Sequence, residues 1–107
     1  DPSCNPYLAL AAICAAGIDG LERKLVPPPP VNRNIYHMSV RDRRRHKIRE
    51  LPMTLREAIG TLKRDKTIVE ALGEHAFKQF VAAKTLEYDD YRIAVHGWEL
   101  ERYLAEY

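Results

Sequence analysis

Residues 54–62 read Thr-Leu-Arg-Glu-Ala-Ile-Gly-Thr-Leu, and this stretch decides the fold class. Thr54, with Glu57 three residues later, forms a capping box, the arrangement in which the two side chains accept hydrogen bonds from the first free backbone N–H groups of a helix. Apolar residues then follow at the spacing of one helix face: Leu55, Ala58, Ile59 and Leu62. The stretch therefore predicts a helix from Leu55 to about Arg64.

The residues after this stretch predict further helices. Asp65 is placed to cap a short helix that Gly73 ends, and a long amphipathic helix is expected over residues 74–95. Gly97 is predicted to break that helix before a last one over residues 98–107. We find no period-two strand pattern and no internal repeat, so the sequence predicts an all-α chain.

The residues before this stretch begin with another predicted helix. Asn5 is an expected N-cap followed by proline at the first helical position, and the helix should run to about Leu25. Its first half is apolar on every face, which is typical of a helix buried all round, with Cys14 as a small core residue. The four prolines at 27–30 exclude a helix and favour an extended strut. Ser39 is placed to cap a short basic helix.

These predictions divide the chain into four parts. Residues 1–26 form a buried helix, residues 27–53 a proline-rich loop and basic segment, residues 54–95 further helices, and residues 96–107 a tail helix. A chain of 107 residues has room for one small domain, with a radius of gyration of about 13 Å if it is compact.

Composition argues against a membrane protein. The longest uncharged apolar run, residues 7–18, has 12 residues, whereas a membrane span needs about 20, and no basic leader precedes it. If the run is helical, Cys4 and Cys14 lie about 15 Å apart, too far for a disulfide. Two reduced thiols are typical of a cytoplasmic protein.

The charges are unevenly distributed, although the net charge is only +2. Residues 41–50 carry a net charge of +4 and residues 86–107 a net charge of −4. The bases of the first segment are Arg41, Arg43, Arg44, Arg45, Lys47 and Arg49. Such a cluster can bind a nucleic-acid backbone, but it lacks interleaved aromatic residues and a recognisable reading helix. A solvated helix face, or salt bridges to an acidic protein surface, is the favoured interpretation.

No residue pattern predicts catalysis or metal binding. The four histidines, His37, His46, His75 and His96, contain no pair at zinc-ligand spacing, and no phosphate loop or nucleophile motif is present. Tyr36 lies between the prolines and the basic run. It is a candidate modification position on an exposed loop, although an aromatic residue that anchors the loop is the favoured interpretation.

A long ordered series of motifs resembles a known family. The series is D-P-x-x-N-P-Y-L-A-L-A-A from residue 1, G-I-D-G-L-E-R-K-L from 17, P-P-P-P from 27, N-I-Y from 34, L-P-M-T-L-R-E-A-I from 51, L-K-R-D from 62, E-A-L-G-E-H from 70, and E-Y-D-D-Y-R-I-A-V-H-G-W-E-L-E-R-Y-L-A-E-Y from 87. Over essentially its whole length the chain resembles the C-terminal segment of a bacterial or archaeal type I glutamine synthetase. The resemblance implies that the helices belong to the α+β catalytic domain of that enzyme.

The resemblance also implies a chemistry and its location. In that family ATP phosphorylates the side-chain carboxylate of glutamate and ammonia displaces the phosphate, with Mg²⁺ or Mn²⁺ holding the phosphates. The family's metal ligands and phosphate-binding arginines precede the part that this chain resembles, so no catalytic, cofactor-binding or metal residue is carried over. Tyr36 matches the tyrosine that is adenylylated in one subclass, where the motif resembles N-L-Y-x-L-P-P-E. Met38-Ser39-Val40 departs from that motif, which makes the chain more similar to the subclass that is not adenylylated.

The sequence therefore predicts a structural segment of glutamate–ammonia ligase that catalyses nothing by itself. Its partners would be the rest of the subunit and other subunits, because the family assembles as a double six-subunit ring. The tail helix is predicted to dock on another subunit through one apolar stripe, Leu100, Tyr103, Leu104 and Tyr107, together with Trp98 just before it. Folding of that stripe back onto the preceding helix is the alternative. A free-standing helical adaptor, or a nucleic-acid-binding module built around the basic run, is the alternative for the whole chain.

Overall fold

The computed structural model describes residues 3–104, and within that range it contains only helices and irregular segments. A single turn of 3₁₀ helix spans Ile35–His37. The α-helices are α1 Pro6–Glu22, α2 Val40–Arg45, α3 Leu55–Leu62, α4 Lys66–Leu72, α5 Glu74–Ile93 and α6 Gly97–Tyr103. The predicted all-α class is confirmed.

The predicted N-caps fix where four helices begin. The side chains of Asn5, Ser39, Thr54 and Asp65 each accept a hydrogen bond from a backbone N–H in the first turn of α1, α2, α3 and α4, respectively. At α3 the box differs from the expected form, because the Glu57 carboxylate accepts from the N–H of Met53, at 2.9 Å, and not from that of Thr54. These caps satisfy donors that have no partner inside a helix.

Two helices end at lysines with left-handed backbone, which the sequence did not predict. Lys24 has φ of 50° and Lys47 has φ of 56°. In each case the next N–H bonds to the carbonyl five residues back, Leu25 to Gly20 and Ile48 to Arg43, both at 2.9 Å. This is the Schellman arrangement, in which glycine usually occupies the left-handed position. α1 consequently ends three residues before the predicted boundary at Leu25.

The break before α6 lies upstream of the predicted glycine. The chain leaves the helical conformation at Ala94, and His96 caps α6, with the Glu99 carboxylate accepting from the N–H of His96 at 2.9 Å. Gly97 is therefore the first residue of α6 and not the residue that separates the two helices.

The helices pack into a small core. α1 lies on α4, and both α3 and α4 lie on α5. Ile59 of α3, at 7% exposure, is the only buried apolar residue of the part that the structure describes. No described residue of α1 is buried, and Cys14, predicted to lie in the core, is exposed. Burial of α1 would require a surface outside this chain, and it stays a prediction.

The dimensions agree with incomplete packing. The radius of gyration is 18.6 Å and the molecule measures 59 × 42 × 23 Å, whereas a compact chain of this length has a radius of about 13 Å. The accessible surface is 10030 Å², whereas a folded monomer of this mass exposes roughly 6,100 Å². The difference, about 3,900 Å², is comparable to the surface buried in a large permanent interface.

Candidate assembly surfaces

The apolar stripe on α6 is largely uncovered. Leu104 is 74% exposed, Trp98 65%, Tyr103 49% and Leu100 47%. The fifth predicted member, Tyr107, lies outside the described residues. The indole of Trp98 meets the ring of Tyr103 edge to face, with 5.9 Å between centroids, so the two aromatic residues hold each other in place. The structure thus brings four of the five predicted docking residues onto one short helix.

The exposed apolar surface of α6 continues toward α5. Tyr91, Ile93 and Val95 are 66%, 73% and 69% exposed. The Tyr91 ring contacts the His96 imidazole, at 4.6 Å between centroids, which ties the end of α5 to the cap of α6. Sequence reasoning did not predict this continuation. The clue was available, because Tyr91, Ile93 and Val95 are three large apolar residues just where the helix was expected to end.

The second surface is the outer side of α1. The side of α1 that faces α4 is half-buried and includes Leu8, Ala9 and Ala12. The other sides carry large apolar groups that remain exposed, among them Tyr7 at 83%, Leu10 at 62%, Ile13 at 68% and Leu21 at 80%. α1 is therefore apolar on more sides than this chain covers, and the uncovered sides are suited to another protein surface.

A groove runs beside the junction of α1 and α4. It has a volume of about 640 Å³ and is open to solvent. Its apolar lining comes from four helices: Leu8, Ala9, Ala12, Leu55, Leu62, Ile68, Leu72 and Phe80. Lys84 and Glu87 form an ion pair and both contribute to the lining. The sequence placed Leu55 and Leu62 on one helix face but did not predict a groove, because no periodicity shows which helices become neighbours.

The basic segment is exposed and mostly unpaired. Arg43 forms an ion pair with Glu50, and Asp42 accepts a hydrogen bond from the Ser39 hydroxyl at 2.7 Å. The other five bases are exposed and form no ion pair with a described residue: Arg41, Arg44, Arg45, Lys47 and Arg49. The helix that carries the first three, α2, has only six residues, about 9 Å of helix. That is a short element with which to read a nucleic-acid groove.

Tyr36 is among the most exposed side chains of the protein, at 97%. It lies on the 3₁₀ turn, whose first N–H groups are satisfied by the Asn34 side chain, which accepts from the N–H of Tyr36 at 3.0 Å. At that exposure the ring is not packed within the described part of the chain, and loop anchoring, the favoured interpretation, stays a prediction.

The described residues contain no group of three or more histidine, cysteine or acidic side chains that could hold a metal ion. None of their helices is both long and apolar enough to cross a bilayer. The features that the structure does present are uncovered apolar helix faces and one charged segment. Together they define a helical segment suited to packing against other protein surfaces.

Comparison with known proteins identifies the family. The family model described as glutamine synthetase, catalytic domain, matches residues 1–103. The chain is 67% identical over 107 residues to glutamine synthetase of Thermus thermophilus, covering 100% of this chain and 24% of that protein. Identity is 51% over 104 residues with the Thermotoga maritima enzyme and 49% over 105 residues with that of Methanosarcina mazei, covering 97% and 98% of this chain and 24% of each relative.

This chain belongs to the glutamine synthetase family, as its motifs predicted. It spans about a quarter of the length of the curated relatives that it matches. A segment from the C-terminal part of such an enzyme fits the match.

Proposed function

We propose that this chain is the C-terminal helical segment of a glutamine synthetase subunit, and that its role there is structural. The complete enzyme would join ammonia to glutamate at the expense of ATP, through a γ-glutamyl phosphate. The segment would support the catalytic domain through α1 and carry the tail helix that docks on another subunit. The cytoplasm, where glutamate, ammonia and ATP are all available, is the proposed location.

The observation that carries this proposal is the uncovered apolar surface. The family match covers the whole chain but only 24% of each relative, and the chain exposes far more surface than a folded monomer of its mass. Uncovered apolar helix faces are what remains when a segment is considered apart from the surfaces on which it packs. α1 is suited to the rest of its own subunit, and α6 to a neighbouring subunit.

The residues of the chain support a structural rather than a catalytic role. Family membership implies ATP and Mg²⁺ or Mn²⁺ for the enzyme, yet no described cluster of side chains here has the carboxylate or imidazole ligands that such an ion needs. Side-chain caps fix where these short helices begin, and large apolar side chains on several helices remain exposed. The phosphoryl-transfer site would lie in the remainder of the subunit.

Complementation between two polypeptides tests the proposal. The 107-residue chain alone, given ATP, glutamate, ammonia and Mg²⁺, is expected to form no glutamine. Coexpression with the remainder of the subunit as a separate polypeptide is expected to restore glutamine formation. Turnover that copurifies with the chain alone contradicts the proposal.

A variant of the outer side of α1 makes the test specific. Leu10→Asp with Ile13→Asp places two carboxylates on the exposed side of α1 and leaves its α4 side intact, so complementation is expected to fail. The matched control, Glu22→Ser with Arg23→Ser, changes two polar groups at the end of the same helix and should complement normally. Equal complementation by both variants would show that the outer side of α1 packs on nothing in the subunit.

Tyr36 is a candidate modification position that we expect to be unmodified. Its exposure supports access by a nucleotidyl transferase, while the residues that follow it depart from the motif of the modified subclass. Intact-mass measurement of the enzyme from nitrogen-rich cells distinguishes the modified from the unmodified subunit, because an adenylyl group increases the mass. The departure from the motif predicts an unmodified mass.

A further inference from the structure

Helix α3 carries a glycine between two exposed arginines. Gly60 lies one turn after Arg56, and Arg64 follows one turn later, in the turn that ends the helix. Positions four residues apart lie on the same side of a helix. Apart from chain neighbours and the backbone of α3, the only described atom within 4 Å of a Cβ at position 60 would be Nη1 of Arg64, at 3.7 Å. Packing of the described residues therefore does not require glycine here, although glycine weakens a helix interior.

Two open clefts share Arg56 and Gly60. The first has a volume of about 680 Å³ and is also bordered by Arg64 and by the segment that precedes α3. The second has a volume of about 350 Å³, lies between α3 and α5, and is also bordered by Lys63 and Tyr88. Clefts of these volumes are of the size that small molecules occupy.

The charges in these clefts that lack a partner are positive. Each carboxylate of the lining already has a partner: Glu50 pairs with Arg43, Asp89 lies 3.8 Å from Arg92, and Glu57 accepts a backbone hydrogen bond at the start of α3. Counted with the bases that pair with those carboxylates, the clefts hold five bases and three acids. The lining bases that pair with no described acid are Arg56, Lys63 and Arg64.

We propose that the clefts around Gly60 bind a small organic phosphate. Its phosphate group lies over Gly60, between the guanidinium groups of Arg56 and Arg64, because the missing side chain leaves the helix surface open there. Its organic part rests on Leu51 and Met53, which border the first cleft and are 86% and 83% exposed. Covering these two side chains removes apolar surface from water and favours an organic phosphate over free phosphate.

The two guanidinium groups favour a phosphate over a carboxylate. Each guanidinium can donate two parallel hydrogen bonds to an oxyanion. A phosphate monoester carries a charge of about −1.5 to −2 at pH 7 and three acceptor oxygens, which two guanidinium groups can share. A carboxylate offers two oxygens, enough for one bidentate guanidinium. The site goes beyond the proposed function, since neither assembly nor the ligase reaction is needed for it.

Arginine labelling of the full-length enzyme tests the proposal at single residues. Phenylglyoxal modifies exposed arginines, and peptide mass mapping measures the rate at each one. Phenyl phosphate at about 0.05 M NaCl, where exposed charges are weakly screened, is expected to slow labelling of Arg56 and Arg64. Labelling of Arg44, an exposed arginine of the basic segment, is expected to stay unchanged. Inorganic phosphate is expected to protect the same two arginines only at a higher concentration.

A substitution at one arginine, read out at the other, shows whether they share a ligand. Arg56→Gln is expected to raise about tenfold the phenyl phosphate concentration that half-protects Arg64, because one charged contact is lost. The matched control, Arg41→Gln, should leave that concentration unchanged. Gly60→Leu keeps both arginines and fills the gap between them with a residue that favours a helix, so it should also abolish protection.

Four results would overturn the inference. The first is that Arg56 and Arg64 resist labelling in the enzyme without ligand, because the rest of the subunit then covers them. The second is that Arg44 is protected as strongly as they are, which indicates attraction to charge alone. The third is that inorganic phosphate protects as well as phenyl phosphate, which assigns the site to free phosphate. The fourth is that Arg56→Gln leaves protection of Arg64 unchanged.

Discussion

Substituting the apolar residues of the α6 stripe is expected to dissociate the subunits that the stripe holds together. In the full-length enzyme, Leu100→Asp with Leu104→Asp places two carboxylates on the stripe, and deletion of residues 98–107 removes it. Leu104 is 74% exposed and Leu100 47%. Docking can therefore bury these exposed fractions of the two side chains. Full burial of a leucine is worth roughly 1.5 to 3 kcal/mol.

The magnitude follows from those exposures. The two leucines together would contribute roughly 2 to 3 kcal/mol on docking, and Trp98 and Tyr103 a similar amount, so each tail contributes about 5 kcal/mol. Removing one tail contact would weaken association by between about three and four orders of magnitude, since 1.4 kcal/mol is about tenfold. The aspartates add a desolvation cost to this loss. A contact repeated around a ring multiplies the effect.

Light scattering coupled to size-exclusion chromatography measures the result. We expect the double variant and the truncated enzyme to have half the mass of the unmodified enzyme at the same protein concentration. The matched control is Arg102→Ala, which changes an exposed residue in the same helix outside the apolar stripe and should keep the full mass. A truncated enzyme with unchanged mass and unchanged resistance to dissociation would refute the reasoning, because the stripe would then fasten nothing.

Three further outcomes are expected of the isolated chain. It should self-associate at micromolar concentration and bind an apolar dye, because large apolar side chains of α1 are uncovered. Leu10→Asp should reduce both the self-association and the dye binding. A monomer that unfolds cooperatively and binds no dye would contradict the prediction. Lys47→Gly should raise stability by about 1 kcal/mol, because glycine adopts the left-handed backbone of that residue without a Cβ clash, as denaturant unfolding would measure. Thr54→Ala should destabilise α3 by about 1 kcal/mol and speed amide exchange in its first turn, with Thr61→Ala as the control.

The sequence predicted those features of the fold that depend on neighbouring residues. A cap needs one side chain and the N–H groups two or three positions later, and the caps at Asn5, Ser39, Thr54 and Asp65 were all confirmed. The helix ends were less well predicted where glycine was absent. Lys24 and Lys47 adopt a backbone that no local preference of lysine favours, so neither boundary could be read from the residue type.

Contacts between distant residues were beyond sequence reasoning. That α1 lies on α4, and that their junction borders a groove, depends on how the irregular residues between them direct the chain. The apolar stripe of α6 was predicted because it repeats within one helix. Its continuation to Val95, which lines one cleft with Leu100 and Tyr103, was not, because the chain changes direction between α5 and α6.

The packing of α1 on α4 has a consequence for synthesis of the chain on the ribosome. The centres of the two helices are about 55 residues apart in the sequence, and translation proceeds at roughly 5 to 20 residues per second. α1 therefore spends roughly 3 to 11 s outside the ribosome before its partner helix exists. Apolar side chains left uncovered for that long either meet a chaperone or dock on protein made earlier. In a subunit whose catalytic part is synthesised first, the outer side of α1 would thus find its place before α4 closes over the inner one.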